Sequence, residues 1–104
     1  LDGAPATIDA LPSIVQAAGR DIEVWMDGGI RSGQDVLKAR ALGARGTLIG
    51  RSFLYGLGAY GEAGVTRALQ IIQKELDITM AFCGHTNINT VDRGILLPGT
   101  YPLA

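Results

Sequence analysis

Hydrophobic positions recur along the chain with two periods, and the changes of period mark its elements. Leu11, Ile14, Val15 and Ala18 stand at i, i+3, i+4 and i+7, the spacing of one apolar helical face. Asp9 is expected to cap that helix, Pro12 to sit in its first turn and Gly19 to end it. Ile22-Glu-Val-Trp-Met26 then reads as a short buried strand, rich in branched and aromatic residues and halted by Asp27-Gly28-Gly29. Ser32 is an N-cap candidate for a helix through Val36, Leu37, Ala39, Ala41 and Leu42, with Asp35 in its first turn and Gly43 just past its end. Gly46-Thr-Leu-Ile49 predicts a second strand, and Gly50-Arg51-Ser52 repeats the switch from strand to turn to helix ahead of Phe53-Leu-Tyr-Gly56. Val65, Ala68, Leu69, Ile72 and Leu76 form a helical stripe opposite Arg67, Gln70, Gln73 and Lys74. Asp77 through Cys83 extends or restarts this helix up to Gly84, and Asn87 or Asn89 is expected to cap a last short helix. The Pro98-Gly99 turn and the Tyr101-Pro102 tail read as irregular and peripheral. Two βα units in succession place the chain in the α/β class with a parallel sheet or barrel.

Composition narrows the picture without changing it. With 104 residues, 47% hydrophobic and 18% charged, the chain can hold one modest core and is not of disordered composition. A formal net charge of −1 and no block of like charge leave no electrostatic footprint for nucleic acid or an anionic membrane surface. No apolar run approaches the roughly 20 residues of a membrane span, and the first residues lack the basic and apolar regions of a signal peptide. The chain opens without Met and reads like the middle of something longer. One cysteine, Cys83, excludes an internal disulfide framework and fits a reducing compartment. The fifteen glycines, about twice average usage, gather at the ends of periodic segments, where they act as punctuation and not as a linker.

The candidate chemistry lies in two turns. Asp27-Gly-Gly-Ile-Arg31 follows the first strand, and Gly50-Arg51, nineteen residues after Arg31, follows the second. A phosphate held without metal needs converging backbone N–H groups and gains from a helix N-terminus. Gly28, Gly29 and Ile30 can supply the N–H groups; Arg31 and Arg51 can add bidentate, charge-assisted bonds. Asp27 suits a sugar or ribityl hydroxyl better than a phosphate. Either turn alone could be a strand end with a solvated arginine, but two turns at one βα spacing would stand side by side and grip one anion. Other motifs carry less. Gly56-Leu-Gly58-Ala-Tyr-Gly61 has the letters of a dinucleotide fingerprint but does not follow a strand directly, so its glycines are expected to shape a short helix and loop. His85 stands in the C-terminal helical region, away from the strand ends, Cys83 has no basic neighbourhood in sequence, and Trp25 and Met26 read as strand packing.

Asp27-Gly-Gly-Ile-Arg31-Ser-Gly33, Asp35-Val-Leu-Lys38-Ala39, Ala41-Leu-Gly-Ala44, Ile49-Gly-Arg51 and Gly61-Glu-Ala-Gly-Val65 together resemble the C-terminal part of the FMN-dependent 2-hydroxy acid dehydrogenases and oxidases. These are enzymes of the L-lactate dehydrogenase, glycolate oxidase and mandelate dehydrogenase type. The resemblance runs from Leu1 to about Arg93. It implies the last two βα units of a TIM (β/α)8 barrel, with the FMN phosphate held at their loops by Asp27, Gly28, Gly29, Ile30, Arg31, Gly50 and Arg51. It also implies oxidation of a small L-2-hydroxy acid to the 2-oxo acid by hydride transfer to flavin N5, in a cytoplasmic homotetramer or one peripheral to the inner membrane.

In that family the catalytic stretch, Ser-Asn-His-Gly-x-Arg-Gln, lies immediately before the Leu-Asp-Gly with which this sequence opens. The expectation is therefore that no catalytic residue lies on this chain, that alone it is inactive, and that a companion N-terminal polypeptide completes the barrel. Two other readings fit the turns. Inosine monophosphate dehydrogenase and type 2 isopentenyl diphosphate isomerase use a similar Gly-Gly-Ile turn, although the former usually has a small residue where Arg51 stands. A non-catalytic half-barrel whose role is assembly is the third reading.

Overall fold

In the computed structural model, which describes residues 2–102, every predicted element is present with shifted ends. The first helix, α1, is Thr7–Ala18. Its N-cap is Ala6, which offers no side-chain bond, and Asp9 falls inside the first turn. The start lies earlier than the apolar spacing suggested because Thr7 Oγ1 donates to the Gly28 carbonyl (2.9 Å), tying the first helical residue to the turn after the first strand. Pro12 consequently stands in the helix interior, with its ring buried, and not in the first turn.

Strands β1 (Trp25–Asp27) and β2 (Gly46–Leu48) are three residues each. They pair in parallel with Trp25 opposite Gly46, Met26 opposite Thr47 and Asp27 opposite Leu48. β1 is shorter than the run from Ile22 predicted, because the ladder lasts only as long as β2 lies alongside; Ile22 itself is exposed and belongs to the turn leaving α1. Arg45 N donates to the Val24 carbonyl (2.7 Å) just below the ladder. The alternation of β1 turns Met26 into the core, while Trp25 and Asp27 face the uncovered side of the sheet. Trp25 packs its ring over Gly46, where a Cβ would overlap it, so the expected packing role is met across the ladder although the ring stays half exposed.

Helix α2 (Gly33–Ala41) starts at Ser32, whose Oγ accepts from Asp35 N (3.3 Å), the cap its spacing predicted. Gly43, with φ +104°, turns the chain after it. The fully buried Ala39 and the buried Leu42 pack against Leu11, Met26 and Ile30 in one cluster. On the other side Leu37, Ala41 and Val91 pack with Leu76 and Met80 in a second.

Helix α3 spans Arg51–Phe82 as two segments broken at Tyr60 and Gly61, whose φ/ψ are non-helical. Gly56 and Gly64 bring these segments together backbone to backbone, leaving no room for a Cβ at either. Gly56 and Gly61 of the apparent dinucleotide fingerprint thus serve a helix break and its packing. α3 ends at Cys83 and Gly84, followed by two 3₁₀ turns, η1 (Ile88–Thr90, capped by Asn87) and η2 (Arg93–Ile95, capped by Asp92).

The tail departs from its expected peripheral place. Tyr101 packs against the cluster around Met26 and Ile30, and Arg93 Nη2 donates to its carbonyl (2.6 Å). Arg40 fastens the preceding segment, reaching Ile88 O (3.4 Å) and Asn89 Oδ1 (3.0 Å) from α2. A run without hydrophobic period is held here by one arginine at each end, a contact that periodicity does not reveal. Leu1, where the family resemblance begins, lies outside the described residues.

Candidate functional site

The parallel register puts the ends of β1 and β2 level, so the two turns leave the same edge of the sheet. Gly28 and Gly29 adopt φ +99° and +78°, the left-handed region that side chains resist and glycine enters freely. Ser52 Oγ, in the first turn of α3, donates to the Ile30 carbonyl (3.3 Å) and joins one turn to the other. Sequence reading passed over Ser52; its place directly after Gly50-Arg51 was the available signal.

Of the predicted site residues, Asp27, Gly28, Gly29, Arg31, Gly50 and Arg51 are exposed, and Ile30 is buried at 4%. The Ile30 side chain belongs to the core, so its contribution to a ligand is limited to its backbone. Among the described residues neither the Arg31 nor the Arg51 guanidinium takes part in an ion pair; the one such pair joins Arg45 to Glu23.

The helix starts beside the two turns differ. At α2, Ser32 Oγ accepts from Asp35 N, Asp35 Oδ2 from Arg31 N (2.9 Å), and Glu75 Oε1 from Gly33 N (3.3 Å). That end of the helix is satisfied by the protein itself. At α3, Gly50 is the N-cap and makes no side-chain bond, and a Cβ placed on it would meet nothing within 4 Å. The same open space surrounds Gly29. An anion approaching the second turn therefore finds a helix start without a side-chain cap and a favourable dipole, with Arg51 as its first residue.

A cavity of about 500 Å³ opens at Gly28 and Gly29, lined also by Thr7, Ile8, Met26, Asp35, Lys38 and Tyr101. It takes in Gly28 and Gly29 of the first turn but borders neither arginine nor Gly50. His85 lies outside this arrangement, half-buried, with Nδ1 3.2 Å from Thr90 Oγ1. Cys83 is a free, exposed thiol. No group of three potential metal ligands occurs among the described residues.

Residues 1–98 match the family described as FMN-dependent dehydrogenase. The chain belongs to that family. It is 50% identical over 97 residues to the L-lactate dehydrogenase of Pseudomonas syringae pv. syringae, covering 93% of this chain and 26% of that one. Over 99 residues it is 48% identical to the pre-mycofactocin synthase of Mycobacterium tuberculosis, covering 94% and 25%. Its structure superposes on the recombinant flavin-binding domain of baker's yeast flavocytochrome b2 with a TM-score of 0.83 and 38% identity, covering 91% and 25%. The chain thus spans about a quarter of the length of the relatives it matches.

FMN is the cofactor that membership points to, and the residues fit its phosphate. Two glycine turns leave open space at one sheet edge, one helix start is uncapped, and two exposed arginines supply charge. Uncapped N–H groups and arginines form a donor set suited to an anion such as a phosphomonoester.

Proposed function

We propose that this chain is the phosphate-holding part of an FMN-dependent oxidoreductase that oxidises an L-2-hydroxy acid of the lactate kind to the 2-oxo acid. The observation that carries the reading is the level pair of turns, the second of which leads into the uncapped start of α3 at Gly50-Arg51. Gly28 and Gly29 would give backbone N–H groups to the phosphate oxygens, and Arg31 and Arg51 would neutralise its charge. The Ile30 backbone and Gly50 would line the same grip. Asp27, on the uncovered face of the sheet, would accept a hydrogen bond from a ribityl hydroxyl. FMN, when bound, supplies the acceptor for the two electrons removed from the hydroxy acid.

The same reading makes the chain the last two βα units of a (β/α)8 barrel of about 250 residues or more. The remaining strands would come from further polypeptide, either a companion or a continuation of this one. Trp25, half exposed on the open face of β1, and Leu48, half exposed at the end of β2, support this, since closing the sheet into a barrel would cover apolar side chains that two strands leave in solvent. The family resemblance adds a homotetramer in the cytoplasm or at the inner membrane surface. Similarity of nearly one level to a lactate dehydrogenase and to a pre-mycofactocin synthase supports assigning this segment to the shared cofactor and substrate choice to other parts of the enzyme.

The test is to purify the complete flavoprotein containing this segment and add L-lactate without oxygen. Loss of the visible flavin absorbance, with pyruvate formed in equal amount, is the expected result. A protein that carries no FMN, or whose flavin stays oxidised with every small 2-hydroxy acid tried, would overturn the assignment.

A further inference from the structure

We propose that Glu75 is a positioning residue for the phosphate grip: its carboxylate closes the start of α2 from across the molecule and thereby fixes Arg31 relative to α3. The proposal rests on the phosphate reading of the two turns. Three acceptors satisfy the first N–H groups around α2, and two of them, Ser32 and Asp35, are local. Glu75 alone comes from another element, 42 residues away, with Oε1 3.3 Å from Gly33 N.

The contact is built on close packing. Gly33 is buried, and a Cβ on it would overlap the backbone N of Leu76 and crowd the Glu75 carbonyl carbon, so the start of α2 sits directly on the backbone of α3. Thr79 Oγ1 donates to the Glu75 carbonyl (2.7 Å), completing the local bonds of that turn of α3. Glu75 is half-buried and takes part in no ion pair among the described residues. A partly desolvated carboxylate without a cation is favourable at a helix N-terminus, where the peptide dipoles and a free N–H offset its charge. The consequence is a division of labour between two helix starts. α2 is closed by protein carboxylates and serves as a fixed post for Arg31, while α3 keeps the open N-terminus that receives the ligand.

The experiment compares FMN with riboflavin, which has the same ring and ribityl chain but no phosphate, in titrations of the full-length apoprotein. Glu75→Gln keeps an acceptor at the same reach and should hold the FMN dissociation constant within about twofold. Glu75→Asp keeps the charge but falls one methylene short, and it should weaken FMN about tenfold, as Glu75→Ala should, with riboflavin affinity unchanged. If Glu75→Asp binds FMN as the parent does, or loses riboflavin in parallel with FMN, the positioning role is wrong. Glu75→Asp decides the matter even where Glu75→Ala fails to fold. Arg51→Ala, titrated alongside, separates the two claims. If it spares FMN, the phosphate reading fails and takes this proposal with it; if it selectively weakens FMN and Glu75→Asp does not, the Glu75 proposal alone fails.

Discussion

Arg51 stands exposed in the first turn of α3 and is free of ion pairs among the described residues, so its charge is not committed to the fold. Arg51→Ala should therefore leave the melting temperature of the apoprotein nearly unchanged. It should weaken FMN by roughly 1.5–3 kcal/mol, the worth of a charge-assisted hydrogen bond, measured by titrating apoprotein with FMN. Ser32 is a different kind of residue: it acts on α2 and touches the grip only through it. Ser32→Ala should cost about 1 kcal/mol of stability in urea unfolding. At this scale Ser32 could be read from spacing alone, because an N-cap is a local bond within three residues. Glu75 could not, because its partner at Gly33 is brought to it only by the packing of α3 on α2. Asp9 misled for the converse reason, the true helix start being set by the distant Thr7–Gly28 bond.

The helices were legible as elements because part of each apolar stripe packs inward, Leu11 and Val15 in α1, Leu37 and Ala41 in α2 and Leu76 in α3, although Ile14 and Leu69 of the same stripes stay exposed. Leu37, 1% exposed, is the centre of the contact between α2, α3 and the tail, and Leu37→Ala should destabilise the protein by about 2–5 kcal/mol in denaturant unfolding. The strands were legible in place but not in length. The run from Ile22 has the right residue types, yet strand pairing needs a neighbour, and β2 provides one for only three residues. The tail was misread as peripheral since Arg93 holds it through side-chain bonds to backbone carbonyls, which leave no periodic trace. Arg93→Ala should release Tyr101 from the core, seen as faster amide hydrogen exchange at Met26 and Ile30 than in the parent.

For the whole molecule, two strands and their helices leave one sheet face uncovered, and large apolar side chains such as Tyr60 (82%) and Phe82 (89%) stay exposed. A polypeptide of residues 1–104 alone should accordingly show a broad, weakly cooperative unfolding transition and no bound flavin; a sharp transition with stoichiometric FMN would show that it needs no further strands. The order of elements and the pairing of the turns were visible in the sequence, because each glycine turn follows a strand-like run and precedes a helix. Which helix start stays open was not, since that depends in part on a carboxylate, Glu75, arriving from elsewhere in the fold. The most direct test of the central claim is the ratio of FMN to riboflavin affinity in the complete apoenzyme and in its Arg31→Ala/Arg51→Ala double variant. A parent that prefers FMN strongly, and a double variant in which most of that preference is lost while riboflavin binding holds, is the predicted result; a preference for FMN that survives both substitutions would contradict it.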